Sequence, residues 1–326
     1  MTVAAKFQRF DDFDHFREAL WGWDTEPTQL TRGPLRLFWD QLRFDEVVIS
    51  RLQSNQKISD RSSIQDGYVG FVVCFGSKIF CGQRVEPGSL VLVGPGREYR
   101  NVLDENWKSF EISMSFTGLG QLGFHDGVLR HLAAGPESCI FALPTHLAEA
   151  FRRCSESLIL TSELDARHSK EPVWSSALHE RTLQLLSEAL RKTGFGPRET
   201  NVAPPTNRAN GWLTVSRALK HIDLLGDEDL HVDAISRSLG CTSRALQIAF
   251  RNVLGVTPLQ YILALRLQRV RRALLRPNGE EIGVTKSAAE HGFLHFGRFA
   301  AQYRRMFGER PSDTLMRSRV RINLSV

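Results

Sequence analysis

Six runs between Leu35 and Phe116 share one pattern of hydrophobic and polar positions. "LRLFWDQLRF", "EVVISRLQ", "GYVGFVVCFG", "KIFCGQRV", "SLVLVG" and "WKSFEISMSF" are short stretches rich in β-branched and aromatic residues, separated by Gly, Asn, Asp or Pro. Such runs predict strands, and six of them predict a barrel or sandwich. The period then lengthens. "PTHLAEAFRRCSESLILT" and "WSSALHERTLQLLSEALRK" read as two helices, the second with an apolar stripe at Leu178, Thr182, Leu185, Leu186 and Ala189. Periodicity is lost over 193–211, "TGFGPRETNVAPPTNRANG", where Gly, Pro and Asn collect; this segment is expected to be a linker. It separates a domain over 1–192 from one over 212–326.

The last third reads as short helices throughout. "LTVSRALKHIDLL" places Val215, Ala218, Leu219, Ile222 and Leu225 on one face. Val232, Ile235 and Leu239 mark a short helix that runs into "AISRSLGCTSRALQIAFRNVLG" (234–255). Gly240 permits a tight turn and Thr242 is placed to cap the next helix. There Leu246, Phe250 and Leu254 face inward while Arg244, Gln247 and Arg251 face elsewhere. This is a helix-turn-helix pattern, and arginine and glutamine are the side chains that read guanine and adenine in the major groove. The pattern occurs twice. A long helix is expected from Pro258 and a break at Pro277–Gly279. "VTKSAAEHGFLHFGRFAAQYRRMFGERPS" follows, with Ala288 and Ala289 in a short helix, a turn at Gly292, and Phe299, Tyr303 and Phe307 as the inward stripe of the next.

Charge sharpens this picture. Residues 212–326 hold 18 Lys+Arg against 10 Asp+Glu, a net of +8, whereas residues 1–211 are close to neutral at −2. A basic module beside a neutral one is the footprint of nucleic-acid binding, because phosphate contacts dominate non-specific affinity. Five cysteines stand without CxxC spacing, which speaks against a structural zinc site or a disulfide framework. No run of about 18 apolar residues and no secretory signal pattern is present, so no membrane association and a cytoplasmic location are expected.

From Trp212 to Arg319 the chain resembles the AraC/XylS family of bacterial transcription regulators, most specifically in "GVTPLQYILALRLQRVRRALL" and GF(x)5F(x)3Y(x)3FGERPS. The resemblance implies an α+β chain: an N-terminal cupin-like β-barrel with a helical pair, and an all-α C-terminal domain of two helix-turn-helix units joined by a long helix. It implies double-stranded DNA and RNA polymerase as partners. It places Arg244 and Gln247 at base-reading positions, Ser243 on phosphate, and Arg251 on the same helix. In the second unit, positions that often carry polar readers hold Phe296, Gly297 and Ala301, and Gly297 replaces the usual capping hydroxyl. That helix is expected to meet phosphates through Arg298, Arg304 or Arg305, with Gln302 beside them, and thymine methyls through Ala301.

In that family the helix pair after the barrel often dimerises; here residues 145–192 are expected either to do so or to pack on their own barrel. The strand region contains no His, which disfavours a metal-binding barrel, and no cofactor or catalytic residue is expected. An enzyme fused to the same DNA module, as in the adaptive DNA-repair methyltransferases, would need clustered zinc-binding Cys and a nucleophilic Cys beside His. Cys139 in "ESCIF" and Cys154 after two arginines meet neither condition.

One segment points to an effector. Arg32 and Arg36 form Arg-x-x-x-Arg before the first strand, and Asp60, Arg61 and Ser62 open "DRSSIQDG" 24 positions later. This is similar to the arrangement by which PilZ domains hold cyclic di-GMP, although Gly67 comes two residues late, where Gln65 stands. Arginine forks suit a doubly anionic, guanine-bearing ligand. A small amine, carboxylate or sugar is the alternative effector.

Overall fold

The structure, a computed structural model, describes residues 4–134, 139–165, 173–194, 209–226, 230–275 and 283–324. Most of the expected linker and the break at Pro277–Gly279 lie outside the described residues. The chain divides into two compact units. The first comprises Met1–Glu26, Arg36–Asn55 and Asp60–Arg208; the second comprises Pro27–Leu35, Gln56–Ser59 and Ala209–Val326.

In chain order the strands are β1 (Ala4–Phe10), β2 (Trp23–Thr25), β3 (Thr28–Gln29), β4 (Leu37–Arg43), β5 (Val47–Ser54), β6 (Ile58–Ile64) and β7 (Tyr68–Cys74). They continue as β8 (Lys78–Phe80), β9 (Gln83–Val85), β10 (Ser89–Val93), β11 (Tyr99–Leu103), β12 (Trp107–Ser115) and β13 (Ile140–Ala142). Helices α1 (Phe13–Ala19), α2 (Phe116–Gln121), α3 (His125–Ala134), α4 (Thr145–Asp165) and α5 (Val173–Lys192) complete the part before residue 194. The strands form two sheets, ordered β1-β4-β5-β12-β7-β10-β13 and β2-β6-β11-β8-β9, with β3 on β6. The expected barrel is therefore two sheets that do not close. Three-residue strands such as β2, β8 and β9 are too short to carry hydrogen bonding round a corner.

The six apolar runs become β4, β5, β7, the hairpin β8–β9, β10 and β12. Two strands of this region, β6 ("ISDRSSI") and β11, fall outside the six runs, and Asp60, Arg61 and Ser62 belong to β6. They lie in mid-strand, with Thr25 paired to Ser62 and Trp23 to Ile64. The reason is that β6 directs polar side chains inward, which erases the apolar alternation that marks a half-buried strand.

One face of the larger sheet packs on α4, through Phe110 against Phe151 at 6.0 Å between ring centroids. The α5 stripe is covered as well: Leu178, Thr182, Leu185, Leu186 and Ala189 are all buried within the chain. Of the two expectations for this stripe, the structure takes packing on its own unit, because α5 lies against α4 and Phe44 stacks on His179 at 4.1 Å.

The second unit holds seven helices among its described residues: α6 (Trp212–Leu224), α7 (Val232–Ser238), α8 (Ser243–Leu254), α9 (Pro258–Leu275), α10 (Val284–Glu290), α11 (Phe296–Phe307) and α12 (Pro311–Leu324). The turn between α7 and α8 has a local cause. Gly240 turns with φ +65°, and Thr242 caps α8 by accepting from Ala245 N at 3.1 Å. The cap of α11 is His295, whose side chain makes no capping bond; Gly297 lies inside the helix rather than at the cap position expected for it. Around α11, Ala264, Leu267, Val270, Leu274, Ala288, Phe293, Phe299, Tyr303, Met306 and Phe307 form one buried cluster.

Two polar networks hold this unit. Glu309 receives Arg271 at 2.7 Å, Arg317 at 3.0 Å and the Thr314 hydroxyl at 2.7 Å, while Tyr303 Oη meets Thr314 Oγ1 at 2.8 Å. Burial pushes the Tyr303 phenol up to about 12, so it stays a neutral hydrogen-bonding group. Elsewhere the extended segment Pro27–Leu35 lies on α9 and the end of α11. Gln29 N donates to Gln268 Oε1 (3.2 Å), Gln268 Nε2 donates to Pro27 O, and Gln29 Nε2 and Gly33 N donate to Met306 O at 3.1 and 3.0 Å. A buried glutamine on a long helix thus satisfies the backbone of a passing strand.

Candidate functional site

The helix pair α7–α8 presents its polar residues as the helical period requires. Leu246, Ala249, Phe250, Val253 and Leu254 are buried, which turns Arg244, Gln247 and Arg251 to solvent. Those three form no side-chain hydrogen bond or ion pair among the described residues and remain available as donors. Ser243 differs: its hydroxyl donates to Asp233 Oδ1 at 2.7 Å and lies 3.1 Å from Ser236 Oγ, so it ties α8 to α7. In α11, Phe299, Tyr303, Met306 and Phe307 face inward, leaving Arg298, Ala301, Arg304 and Arg305 exposed and Gln302 half-buried. Arg305 Nε also donates to Ala301 O at 3.3 Å.

Arg32 belongs to the second unit, where it lines a cleft of about 220 Å³ with Gln260, Arg298, Gln302, Arg305 and the apolar Leu263. Arg36, Asp60, Arg61 and Ser62 belong to the first unit. Along β6 the side chains alternate. Asp60 and Ser62 are turned inward, Asp60 accepting from Thr25 Oγ1 and Ser62 from Asn101 Nδ2 at 3.1 Å. Arg61 turns the other way and pairs with Glu26 at 2.7 Å and Glu98 at 3.2 Å. In neither unit do these five residues form one cluster.

Periodicity gave no sign of the interior into which Asp60 and Ser62 point. Register carries the argument, since residues paired across a sheet share a face. Gln41, Ser50, Glu111 and Val72 form one row across the larger sheet, and Trp39, Leu52, Ser109 and Cys74 the next. This face is opposite to that of Phe110 and looks toward the smaller sheet, because Trp23 Nε1 of β2 donates to Ser113 Oγ at 3.0 Å. From the smaller sheet, Asp60, Ser62, Asn101, Phe80, Gln83 and Lys78 share the facing side, with Lys78 Nζ 5.5 Å from the centre of the Trp107 ring.

The interior is thus polar and buried. Burial pushes the Asp60 carboxyl up to about 6, against opposing hydrogen bonds from Thr25 and Ser62 and the charge of Lys78. Burial raises Glu111 too, although Ser109 donates to it at 2.7 Å. Four buried polar atoms here have no hydrogen-bond partner among the described residues: Trp39 Nε1, Gln41 Nε2, Gln83 Oε1 and Asn101 Oδ1. Unsatisfied buried groups of this kind are costly and call for a role. The signal available in the sequence was only that polar residues interrupt otherwise strand-like runs.

Burial raises the thiols of Cys74 (to about 11), Cys139 (to about 12), Cys81 and Cys154, which keeps them protonated and poor nucleophiles at neutral pH. Among the described residues no group of three His, Cys, Asp or Glu could hold a metal ion, and no single helix is long and apolar enough to cross a membrane.

A helix-turn-helix domain family matches residues 235–317. The chain is 42% identical over 142 residues to the XylDLEGF operon transcriptional activator 2 of Pseudomonas putida, covering 44% of this chain and 82% of that protein. It is 39% identical over 101 residues to the probable thc operon regulatory protein of Rhodococcus erythropolis, covering 31% of this chain and 30% of the relative. The chain thus matches only about a third of the length of that relative. Among solved structures it is similar to a probable AraC family transcriptional regulator from Rhodopseudomonas palustris, at 29% identity over 32% of this chain and 97% of the other, with a TM-score of 0.29.

Proposed function

The chain belongs to the AraC/XylS family of transcription regulators, and on that premise we propose that it is an effector-responsive activator that grips two successive major grooves of promoter DNA. The observation that carries this reading is the pair of exposed polar helix faces. Arg244, Gln247 and Arg251 on α8, and Arg298, Arg304 and Arg305 on α11, project from two helix-turn-helix units. The matched relatives are regulators rather than enzymes, and the buried thiols supply no nucleophile for the rival methyl-transfer reading. The reading places the protein with DNA in the cytoplasm, with RNA polymerase as its further partner.

Two measurements test the DNA reading. Arg244→Ala or Gln247→Ala is expected to cost about 1 to 3 kcal/mol at one or two base pairs of the selected site while sparing non-specific binding. A uniform loss on all sequences would move that residue to the backbone. Arg304→Ala or Arg305→Ala is expected to weaken binding on every sequence and to lower the salt slope by about one unit per lost phosphate contact. An unchanged slope removes that arginine from the interface.

For the first unit, the effector reading is supported by the polar interior, where Lys78, Glu111 and Asp60 lie among four unsatisfied atoms. A small amine, carboxylate or sugar could satisfy those atoms. Cyclic di-GMP is the specific effector proposed on the spacing of Arg32, Arg36 and Asp60–Ser62; Arg61 would have to leave Glu26 and Glu98 to reach it. Calorimetry decides: Arg32→Lys and Arg36→Lys should each weaken cyclic di-GMP binding, since lysine lacks the planar fork. Absence of binding to the parent chain, or equal binding by both variants, ends that assignment. A homodimer through residues 145–192 would use the outward faces of α4 and α5, because the apolar stripe of α5 is already covered.

A further inference from the structure

The two helix-turn-helix units can be compared position by position. Helices α8 and α11 are both twelve residues long, both follow a seven-residue helix, and both end at a glycine of positive φ, Gly255 and Gly308. Counting from these caps, Ser243 corresponds to Phe296, Arg244 to Gly297, Gln247 to Ala300, Ile248 to Ala301 and Arg251 to Arg304. At the two positions where α8 offers the Arg244 guanidinium and the Gln247 amide, α11 holds Gly297 and Ala300, which have no hydrogen-bonding side chain. It offers carbon instead. Phe296 is 43% exposed and Leu294, two residues before it, is 82% exposed, while Ala300 and Ala301 are exposed beside them.

Large apolar side chains held in water at the start of a helix need an apolar partner to be useful. Charge identifies that partner. Arg298, Arg304 and Arg305 are exposed on the same helix, and residues 212–326 carry a net charge of +8, so the helix is set for a polyanion. The apolar group that a base pair exposes in the major groove is the thymine 5-methyl. We propose that α11 reads thymine methyl groups, with Phe296, Leu294 and the Ala300–Ala301 pair as the specificity-determining surface and the arginines as phosphate anchors. The second half-site is then discriminated by methyl burial, the first by hydrogen bonds from Arg244 and Gln247. This inference rests on the DNA-binding reading above.

Selection from a random-sequence DNA library with the full-length chain supplies the operator. Each thymine of the half-site bound by α11 is then replaced in turn by deoxyuridine, which removes the methyl and keeps every hydrogen-bonding group. Affinity is expected to fall about fourfold per contacted methyl, the factor equivalent to about 0.8 kcal/mol per buried CH2-sized group. Phe296→Ala and Leu294→Ala, at exposed positions where folding is retained, should bind the thymine and deoxyuridine operators with nearly equal affinity. Arg244→Ala should keep the deoxyuridine penalty intact. If deoxyuridine is tolerated at every thymine of that half-site, or if the penalty survives in both apolar variants, the methyl reading is overturned while DNA binding stands. A selection that enriches no sequence overturns the DNA-binding reading itself and this one with it.

Discussion

Phe299→Ala is expected to lower the stability of the second unit by about 3 to 5 kcal/mol, the range for removing a buried phenyl ring that its surroundings cannot replace. The ring is almost fully buried and sits between Phe293, at 4.8 Å between centroids, and Tyr303, at 5.7 Å. It ties α11 to the turn that precedes it, so the loss should fall on the second helix-turn-helix first. Hydrogen exchange should show α10 and α11 opening well before α6–α8, whose core is built on Leu246 and Phe250. DNA binding should shift toward the half-site held by α8. Urea unfolding with a loss below about 1 kcal/mol, within the ordinary range of a surface change, would mean that this cluster is not the core of α11.

Asp60→Asn should raise stability at pH 8 and flatten its pH dependence. The folded carboxyl titrates near 6 rather than 3.8, chiefly because burial disfavours its charge. Its pKa is therefore higher in the folded state than in the unfolded chain, and the folded state binds more protons between those values. The associated stability is fully present below pH 3.8 and is lost as pH rises through 6. At about 1.4 kcal/mol per pKa unit, the loss amounts to roughly 3 kcal/mol by pH 8. Burial displaces Glu111 in the same direction, so part of the slope should remain in the variant. Asparagine keeps an oxygen for Thr25 and cannot ionise. Calorimetric melting of parent and variant at pH 5 and pH 8 is the measurement; equal midpoint shifts in the two proteins would show that Asp60 is solvated in the folded state.

The helical module was largely legible because its determinants are local. Gly240, the Thr242 cap, the buried Leu246 and Phe250, and the stripe of Phe299, Tyr303 and Phe307 all follow from spacing within a dozen residues, and the structure places each where the period puts it. The apolar strands β4, β5, β7, β10 and β12 were legible for the same reason. Strand β6 was not, since its inward residues Asp60 and Ser62 are polar and its register is fixed by partners about 35 to 40 residues away, Thr25 and Asn101.

What the sequence determined by itself is therefore the apolar strands β4, β5, β7, β10 and β12, the two helices before the linker, the two helix-turn-helix units and the basic charge that marks them for DNA. Tertiary structure alone decided three matters. It drew Pro27–Leu35, with Arg32, onto α9 through Gln29 and Gln268. It buried the α5 stripe within its own unit, and it gathered Gln41, Glu111, Lys78 and Asn101 into one polar interior. Each depends on which distant segments pair. Periodicity reports only how much of a strand or helix is buried, whereas sheet register and long-range hydrogen bonds choose the neighbours with which it is buried.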